Sequence, residues 1–315
     1  MALQGSFVLQ SPIASSDTTL DVAVRDALLR GVVNNGVRFI ADLGFGFSYP
    51  GGPFSSRLPA GAPGNGALVA DVAEHADGSV VLASGQAISY AGGGFDFSAI
   101  TLKGNYLAVP AAVASDIYAP FNGVSQRPLV VAYVKLPTKA NWNTATAIFP
   151  MIAFAAANAS PTAADMITIG QSSISSRIEA IRQTAGSTLV SMNVGVADAD
   201  YGQLAQIVWW RNAIGTGLSL RTARGRTTTS GVVGADNASD FSAQVGRFGI
   251  CDTYSTPAAP GSVDAVKFRA YRLFIENLAR SGRDPLVVAE ADWLRVQDRI
   301  AASAAANGGV SQVFA

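Results

Sequence analysis

Few residues in the chain have the types and spacing that catalysis requires. His75 is the only histidine and lies in the turn-like segment Glu74-His-Ala-Asp-Gly, and Cys251 is the only cysteine. A catalytic triad needs a histidine beside a nucleophile and an acid, and sequence spacing alone does not supply that arrangement. We interpret His75 as a solvated turn residue and Cys251 as a small core residue, and we predict that the chain is not an enzyme.

Two acidic clusters contain the oxygen ligands that calcium prefers. Asp198 and Asp200 stand two residues apart beside a glycine, and Asp236 and Asp240 begin and end a second polar segment. Neither cluster matches the full twelve-residue calcium loop. Polar turns are the interpretation that we favour for both, so no cofactor is predicted. If the chain holds a metal ion, we expect calcium at these four carboxylates.

A basic, hydroxyl-rich segment is predicted to form the tip of a hairpin. It contains Arg221, Arg224 and Arg226, and threonines follow at positions 227–229. Guanidinium groups bind carboxylates through paired hydrogen bonds, so the tip is a candidate contact for an acidic glycan or for a carboxylate of a neighbouring subunit. A solvated hairpin without a ligand is an equal alternative.

The aromatic residues of one long loop are the other binding candidates. Phe45, Phe47 and Tyr49 lie in the Gly- and Pro-rich stretch 44–66, whose composition breaks any regular element. One hypothesis has these rings contacting a sugar or a partner protein. The alternative, which we favour, has them closing the open end of a sandwich.

The composition limits the classes of partner. The chain has 315 residues, with 22 Lys and Arg against 22 Asp and Glu. A neutral chain is poorly suited to bind a phosphate backbone, so no nucleic-acid partner is predicted. No apolar run is long enough to cross a bilayer, so no membrane insertion is predicted. The start of the chain lacks the basic and apolar regions of a secretory signal, so we expect no export by that route.

The elements that must position these residues are mainly strands. Gly, Ala, Ser, Thr and Val are abundant and Glu is rare, which favours strands and turns over helices. Short apolar or alternating segments recur along the chain. The predicted strands are 37–43, 80–82, 99–102, 106–109, 128–137, 148–155, 166–169, 177–183, 189–196, 207–211, 218–222 and 244–250. In the segment 189–196 the residues Val190, Met192, Val194 and Val196 are predicted to face inward.

The stretch after residue 264 combines a core strand with a helix. Val266, Phe268 and Ala270 alternate with Lys267 and Arg269, and the apolar run 273–275 follows. Asp284 and Pro285 form a helix start, because aspartate caps the first turn and proline fits the first helical position. The helix is predicted to dock through one apolar face formed by Leu286, Ala289, Trp293, Val296 and Ile300.

These patterns predict an all-β fold, an antiparallel jelly-roll β-sandwich, with three parts along the chain. Residues 1–36 are predicted to form an N-terminal arm with a short helix at 18–30, which serves attachment or packs on its own domain. Residues 37–283 form the sandwich, and residues 284–315 form the C-terminal helix and tail, packed on the sandwich.

Several segments in order resemble a known superfamily. They are Asn105-Tyr-Leu-Ala-Val-Pro, then Leu129-Val-Val-Ala-Tyr-Val-Lys, then Val208-Trp-Trp-Arg, and finally Phe268-Arg-Ala-Tyr-Arg-Leu-Phe-Ile-Glu-Asn-Leu. Together they resemble the concanavalin A-like lectin/glucanase superfamily, and in particular the laminin-G-like jelly rolls of bacteriophage virion proteins. The resemblance covers roughly residues 40–283 and implies a two-sheet sandwich that binds glycan, often with calcium, or another protein. The Glu-x-Asp-x-Glu strand of the superfamily's glucanases is missing.

The first functional hypothesis is a bacteriophage virion structural protein, a tail fibre or adhesin whose lectin-like domain contacts host surface glycan or neighbouring subunits. It would be assembled in the host cytoplasm and released by lysis. We expect a homo-oligomer, with a trimer preferred, and other virion proteins as partners. A capsid decoration protein is the second hypothesis, and a glycan-cleaving enzyme on the same fold is the third.

Overall fold

The computed structural model describes residues 36–51, 60–73, 75–142, 148–156, 167–172, 176–185, 188–237, 244–251 and 266–315. The predicted N-terminal arm and helix lie outside these ranges. The described strands are, in chain order, β1 (Val37–Asp42), β2 (Leu68–Val69), β3 (Gly78–Val81), β4 (Ser89–Ala91), β5 (Gly94–Asp96), β6 (Asn105–Val109), β7 (Pro128–Lys135), β8 (Ile148–Ala156), β9 (Ile167–Ser172), β10 (Arg177–Ala185), β11 (Thr188–Gly195), β12 (Leu204–Arg211), β13 (Thr216–Thr222), β14 (Gly225–Gly231), β15 (Gln244–Ile250) and β16 (Arg269–Asn277).

The described helices are few. They are α1 (Ala111–Asp116), α2 (Leu278–Ser281) and α3 (Pro285–Ala306), with single 3-10 turns at Lys139–Asn141 and Asp198–Asp200. The segment Phe47–Gly51 is an irregular turn in which the backbone of Tyr49 is extended. The helix α3 starts as predicted: the Asp284 carboxylate accepts hydrogen bonds from the backbone N–H groups of Leu286 and Val287, at 2.9 and 3.0 Å. No helix in the described part of the chain has the length and apolarity needed to cross a bilayer.

The strands form two antiparallel sheets of eight strands each, as expected of a jelly-roll sandwich. We call them the front sheet and the back sheet. The front sheet has the order β14-β13-β12-β7-β16-β5-β4, with β1 also paired to β16. The back sheet has the order β11-β10-β9-β8-β15-β6-β3-β2. Every pairing between described strands is antiparallel.

The central strands of the front sheet are buried on both faces. On the inner face, Ala132 of β7 lies opposite Ile207 of β12 and Leu273 of β16, within the core between the sheets. On the outer face, the neighbouring Val131 belongs to a second apolar cluster that includes Val296 of α3. This explains why β7 and β16 have continuous apolar runs, because the helix covers the face that would otherwise meet water.

The apolar face predicted for α3 is the face that docks. Ala289, Trp293 and Val296 are buried in the outer cluster, and Leu286 and Ile300 are partly buried against it. The end of the chain packs in the same place, because the Phe314 ring contacts the Tyr133 ring at a centroid distance of 5.8 Å. The helix and the C-terminal residues therefore form a third layer on the sandwich.

Two of the predicted strand features were wrong in detail. Residues 99–102 form a turn, in which the Gln86 side-chain oxygen accepts hydrogen bonds from the N–H groups of Thr101 and Leu102 in place of a neighbouring strand. In β11 the inward-facing residues begin only at Met192, and Val190 is 45% exposed. The first four residues of this edge strand are all exposed. The alternating apolar pattern therefore begins before the part of the strand that faces the core.

Candidate functional site

A buried ion cluster fastens α3 to the front sheet. Arg272 of β16 donates to Asp42 of β1 at 2.8 Å and to Asp292 of α3 at 3.1 Å, and all three side chains are buried. Arg299, about two turns further along the helix than Asp292, also donates to Asp42. Burial acts to raise the pKa of the Asp42 carboxyl, but Arg299 and Arg272 outweigh it and lower that pKa to about 2. The cluster therefore requires an ionised Asp42.

A second set of contacts fixes the rotation of the helix. Gln206 of β12 donates from its amide nitrogen to the Tyr133 hydroxyl and to the Ala289 carbonyl, both at 2.7 Å. The Trp293 ring stacks over Tyr133 at a centroid distance of 6.2 Å with an interplanar angle of 14°. Burial, followed by the negative charge of Asp292, raises the pKa of Tyr133 well above its ordinary value, so the hydroxyl stays protonated.

Hydrogen bonds to the Asp198–Asp200 turn and within the turn itself fix the tip of the β13–β14 hairpin. Its two-residue turn lies between Thr222 and Gly225. The Thr222 hydroxyl donates to the Asp200 carboxylate at 2.8 Å and accepts from the backbone N–H of Arg224 at 3.2 Å. Asp200 belongs to the helical turn after β11, which packs through Tyr201 edge-on against Trp142 at 5.1 Å. The tip and this turn are therefore one connected unit.

The structure separates the three arginines that were predicted together at the tip. Arg221 and Arg226 both form ion pairs with Glu290 of α3, and the Arg221 guanidinium lies 4.9 Å from the centre of the Trp293 ring. Of the two alternatives, a solvated hairpin does not describe these two side chains, because the docked helix brings a carboxylate of the same chain to them. Arg224 alone is exposed at the turn.

A cleft opens between the hairpin tip, the Asp198–Asp200 turn and α3, and we call it the helix cleft. Its volume is about 310 Å³. Its polar lining residues are Asp200, Gln203, Thr222, Arg224 and Gln297. Its apolar lining residues are Ala199, Leu204, Ala223, Trp293, Ile300 and Phe314. Hydrogen-bond donors and acceptors thus line the same space as two aromatic side chains, and its volume is at the lower end of the range for small-ligand sites.

The predicted calcium ligands have other partners in the structure. Asp198 is exposed and pairs with Lys139 at 2.7 Å, whereas Asp200 faces inward to Thr222. Asp236 accepts from the buried Arg211 at 2.5 Å, and Asp240 lies outside the described residues. Among the described residues, no three His, Cys, Asp or Glu side chains are grouped to hold a metal ion.

The predicted aromatic contacts are mostly enclosed. Tyr49 lies in the core between the sheets, edge-on to Phe95 at 4.8 Å, and its hydroxyl donates to the Gly61 carbonyl at 2.6 Å. Phe47 is buried in the outer cluster. Phe45 is 41% exposed, and it is the one residue of the three that a ligand can reach. The interpretation favoured from the sequence, closure of the sandwich, agrees with the position of Tyr49, whereas Phe47 packs on the outer face of the front sheet.

The single histidine and the single cysteine of the sequence both have structural contacts or burial that account for them. The His75 ring lies 2.8 Å from the Val37 carbonyl, and its backbone N–H donates to Asp71 at 2.9 Å. Asp71 also accepts from the backbone N–H of Ile40, so this turn is tied to β1. Cys251 is fully buried at the end of β15, as predicted for a core residue.

Sequence reasoning missed the glutamines of the cleft. Gln203 precedes β12 and Gln297 lies on α3, and nothing in their local sequence distinguishes them from other polar surface residues. The one available signal was the helical periodicity around Trp293, which predicted a docked helix. That pattern did not indicate which part of the sandwich would lie beside it.

Comparisons with known proteins identify similar structures at low similarity. No protein-family profile matches the chain, and no curated protein matches it either. The binding domain of botulinum neurotoxin serotype D/C is similar with 9% identity and a TM-score of 0.46, over 81% of this chain and 52% of that one. The chain thus spans about half the length of the neurotoxin domain.

Two further similar structures are smaller domains. The CBM2 module of the evolved Dit protein of Lactobacillus casei BL23 phage J-1 has 13% identity and a TM-score of 0.36, over 77% of this chain and 96% of that one. Peanut lectin has 12% identity and a TM-score of 0.36, over 63% of this chain and 88% of that one. These proteins are lectin and carbohydrate-binding domains, and similarity at this level carries no argument about the function of this chain.

Proposed function

We propose that this chain is a non-enzymatic binding module that holds a glycan in the helix cleft. One observation carries the proposal: the cleft is lined both by polar side chains, among them two glutamines and Arg224, and by the aromatic residues Trp293 and Phe314. A sugar ring has hydroxyl groups around its rim and apolar C–H groups on its faces. Amides both donate and accept hydrogen bonds, so they suit hydroxyl groups, and aromatic side chains provide apolar surface that suits the C–H groups.

The rigidity of the walls supports the same proposal. The hairpin tip is held by Asp200, and the helix is held by the ion cluster at Asp42 and Arg272. Preformed walls reduce the conformational entropy that binding would otherwise lose. Glycan cleavage is the weaker alternative, because it needs a pair of carboxyl groups and Asp200 is the one acidic residue among the described residues that line the cleft.

The binding test uses a panel of immobilised oligosaccharides and a matched set of variants. The wild-type chain should bind at least one glycan, and the double variant Gln203→Ala/Gln297→Ala should lose roughly tenfold in affinity or more, since each lost neutral hydrogen bond contributes about 1 kcal/mol. Arg247→Gln, on the back sheet, is the control and should bind normally. Equal binding by the double variant and the wild type would refute the cleft as the site. A turnover assay on the bound glycan tests the enzymatic alternative.

The finer proposal is that the module is displayed on a bacteriophage particle as a tail fibre or adhesin. It rests on the sequence resemblance to virion jelly rolls, and it includes a homo-oligomer attached through residues 1–36. A capsid decoration protein is the alternative placement. Immunogold labelling of particles separates the two, because label at the tail supports the fibre and label over the capsid supports decoration. Particles without label would contradict both placements.

A further inference from the structure

We propose that the glycan recognised by this chain is acidic, and that its anionic group, a carboxylate or a phosphate, binds in a second recess beside the helix cleft. This inference rests on the proposed function. The second recess, which we call the tip recess, has a volume of about 190 Å³. Its lining residues are Gly195, Ala197, Asp200, Leu220, Thr222, Arg224, Gly225, Arg226 and Thr227. Asp200, Thr222 and Arg224 line both spaces, so one ligand can contact the two.

The charges around the hairpin tip leave an excess of positive charge. Arg221 and Arg226 share the single carboxylate of Glu290, and Arg224 has no ion-pair partner in the described part of the chain. Asp200 is the other nearby acid, and its carboxylate accepts the Thr222 hydroxyl. Three guanidinium groups thus stand against two carboxylates. An anionic substituent would balance this excess, whereas a neutral sugar would leave it unchanged.

The donors that an anion in the tip recess would reach belong to Arg224 and Thr227, which line it and are exposed. Arg226 contributes positive charge but no such donor, because its terminal nitrogens are directed to Glu290, to the Leu286 carbonyl and to the Gln206 amide oxygen, and its Nε–H group is buried. A carboxylate or a phosphate accepts several such hydrogen bonds at once, and bonds to charged groups are about twice as strong as neutral ones.

The content of aromatic residues distinguishes this recess from the helix cleft. Trp293 and Phe314 line the helix cleft, whereas no aromatic residue is found among the described residues that line the tip recess. The apolar part of a sugar would therefore lie against Trp293, and its acidic substituent would extend over Thr222 into the tip recess beside Arg224. In this arrangement Arg224, at the boundary between the two spaces, determines the preference for an acidic over a neutral glycan.

The test measures binding of matched oligosaccharides by calorimetry. The probes are a glucuronic-acid-terminated oligosaccharide, its glucose-terminated counterpart and the same neutral sugar carrying a phosphate. The wild-type chain should prefer an acidic form by about tenfold or more, and added salt should reduce this preference. Arg224→Gln should lower the affinity for the acidic form far more than the affinity for the neutral form, so that most of the preference is lost. Arg224→Lys should keep part of it, because it keeps the charge.

The controls separate the two proposals. Arg247→Gln changes an arginine of the back sheet and should leave the preference intact. The uronic and phosphorylated probes identify which anion is preferred. A preference for either one over the neutral sugar supports recognition of an anionic group. Equal affinity for acidic and neutral forms, unaffected by Arg224→Gln, would overturn the inference while leaving glycan binding standing. No binding of any oligosaccharide in the panel would refute the proposed function itself.

Discussion

The ion cluster beneath α3 provides a quantitative test of how the helix is held. The perturbation is Asp42→Asn, which keeps the size of the side chain and removes its charge. In the wild-type protein Asp42 accepts from Arg272 at 2.8 Å and from Arg299 at 3.2 Å, and it is almost fully buried. The substitution leaves the buried Arg272 guanidinium with Asp292 as its remaining acidic partner. Removal of one partner from a buried ion pair costs about 3–5 kcal/mol of folding free energy.

The pKa of Asp42 fixes how this loss depends on pH. Its pKa is lowered from 3.8 to about 2 in the folded protein, a difference of somewhat less than two units. Each unit corresponds to 1.36 kcal/mol, so the ionised form contributes roughly 2–3 kcal/mol to the free energy of unfolding. Because the folded-state pKa is depressed, the contribution is complete above the unfolded pKa near 4. It is lost as the pH falls through about 2.

The assay is urea unfolding of the wild-type and Asp42→Asn proteins between pH 7 and pH 2. The difference between their free energies of unfolding should be about 3–5 kcal/mol at pH 7 and should shrink by roughly 2–3 kcal/mol toward pH 2. Asp198→Asn, which removes an exposed carboxylate paired with Lys139, is the control and should have no measurable effect. A neutral result for Asp42→Asn at pH 7, or a difference that does not change with pH, would refute the role assigned to the cluster.

Three further predictions concern the helix, the hairpin tip and the N-terminal arm. Trp293→Ala should lower the free energy of unfolding by roughly 3–5 kcal/mol, because the residue is 5% exposed and its ring stacks on Tyr133. A near-neutral result in thermal or chemical unfolding would contradict that packing. Thr222→Val should lower the free energy of unfolding by about 1–3 kcal/mol and weaken glycan binding, because the buried Asp200 loses a hydrogen-bond donor. Thr222→Ser keeps the hydroxyl group and should have the stability and the glycan affinity of the wild type. Deletion of residues 1–16 should leave the sandwich folded by circular dichroism but reduce incorporation into particles, and normal incorporation would move the attachment surface to the jelly roll.

The local elements were predictable because local chemistry determines them. The cap at Asp284 with Pro285 fixed the start of α3, and the spacing of Ala289, Trp293 and Val296 fixed its buried face. The apolar run around Phe274 indicated a strand buried on both sides. These features depend on neighbours within a few residues in the chain.

The partners of the polar residues could not be predicted in the same way. Glu290 is 69 residues from Arg221, and their pairing depends on how α3 docks on the front sheet. Asp200 and Thr222 meet because β11 and β13 end at the same edge of the sandwich, which a strand pattern does not show. The sequence identified Asp200 and Arg224 as candidates for separate reasons, and only the topology brings them to one cleft.

Chemical-shift mapping by NMR is the sharpest test of glycan binding in the helix cleft, because it locates a bound glycan without relying on a substitution. The protein would be titrated with the oligosaccharide that binds best in the panel. We expect the largest shifts at the side-chain amides of Gln203 and Gln297 and at the backbone N–H of Arg224, with saturation at one ligand per chain. Shifts centred on the outer face of the back sheet, around Tyr106 and Arg247, would contradict it.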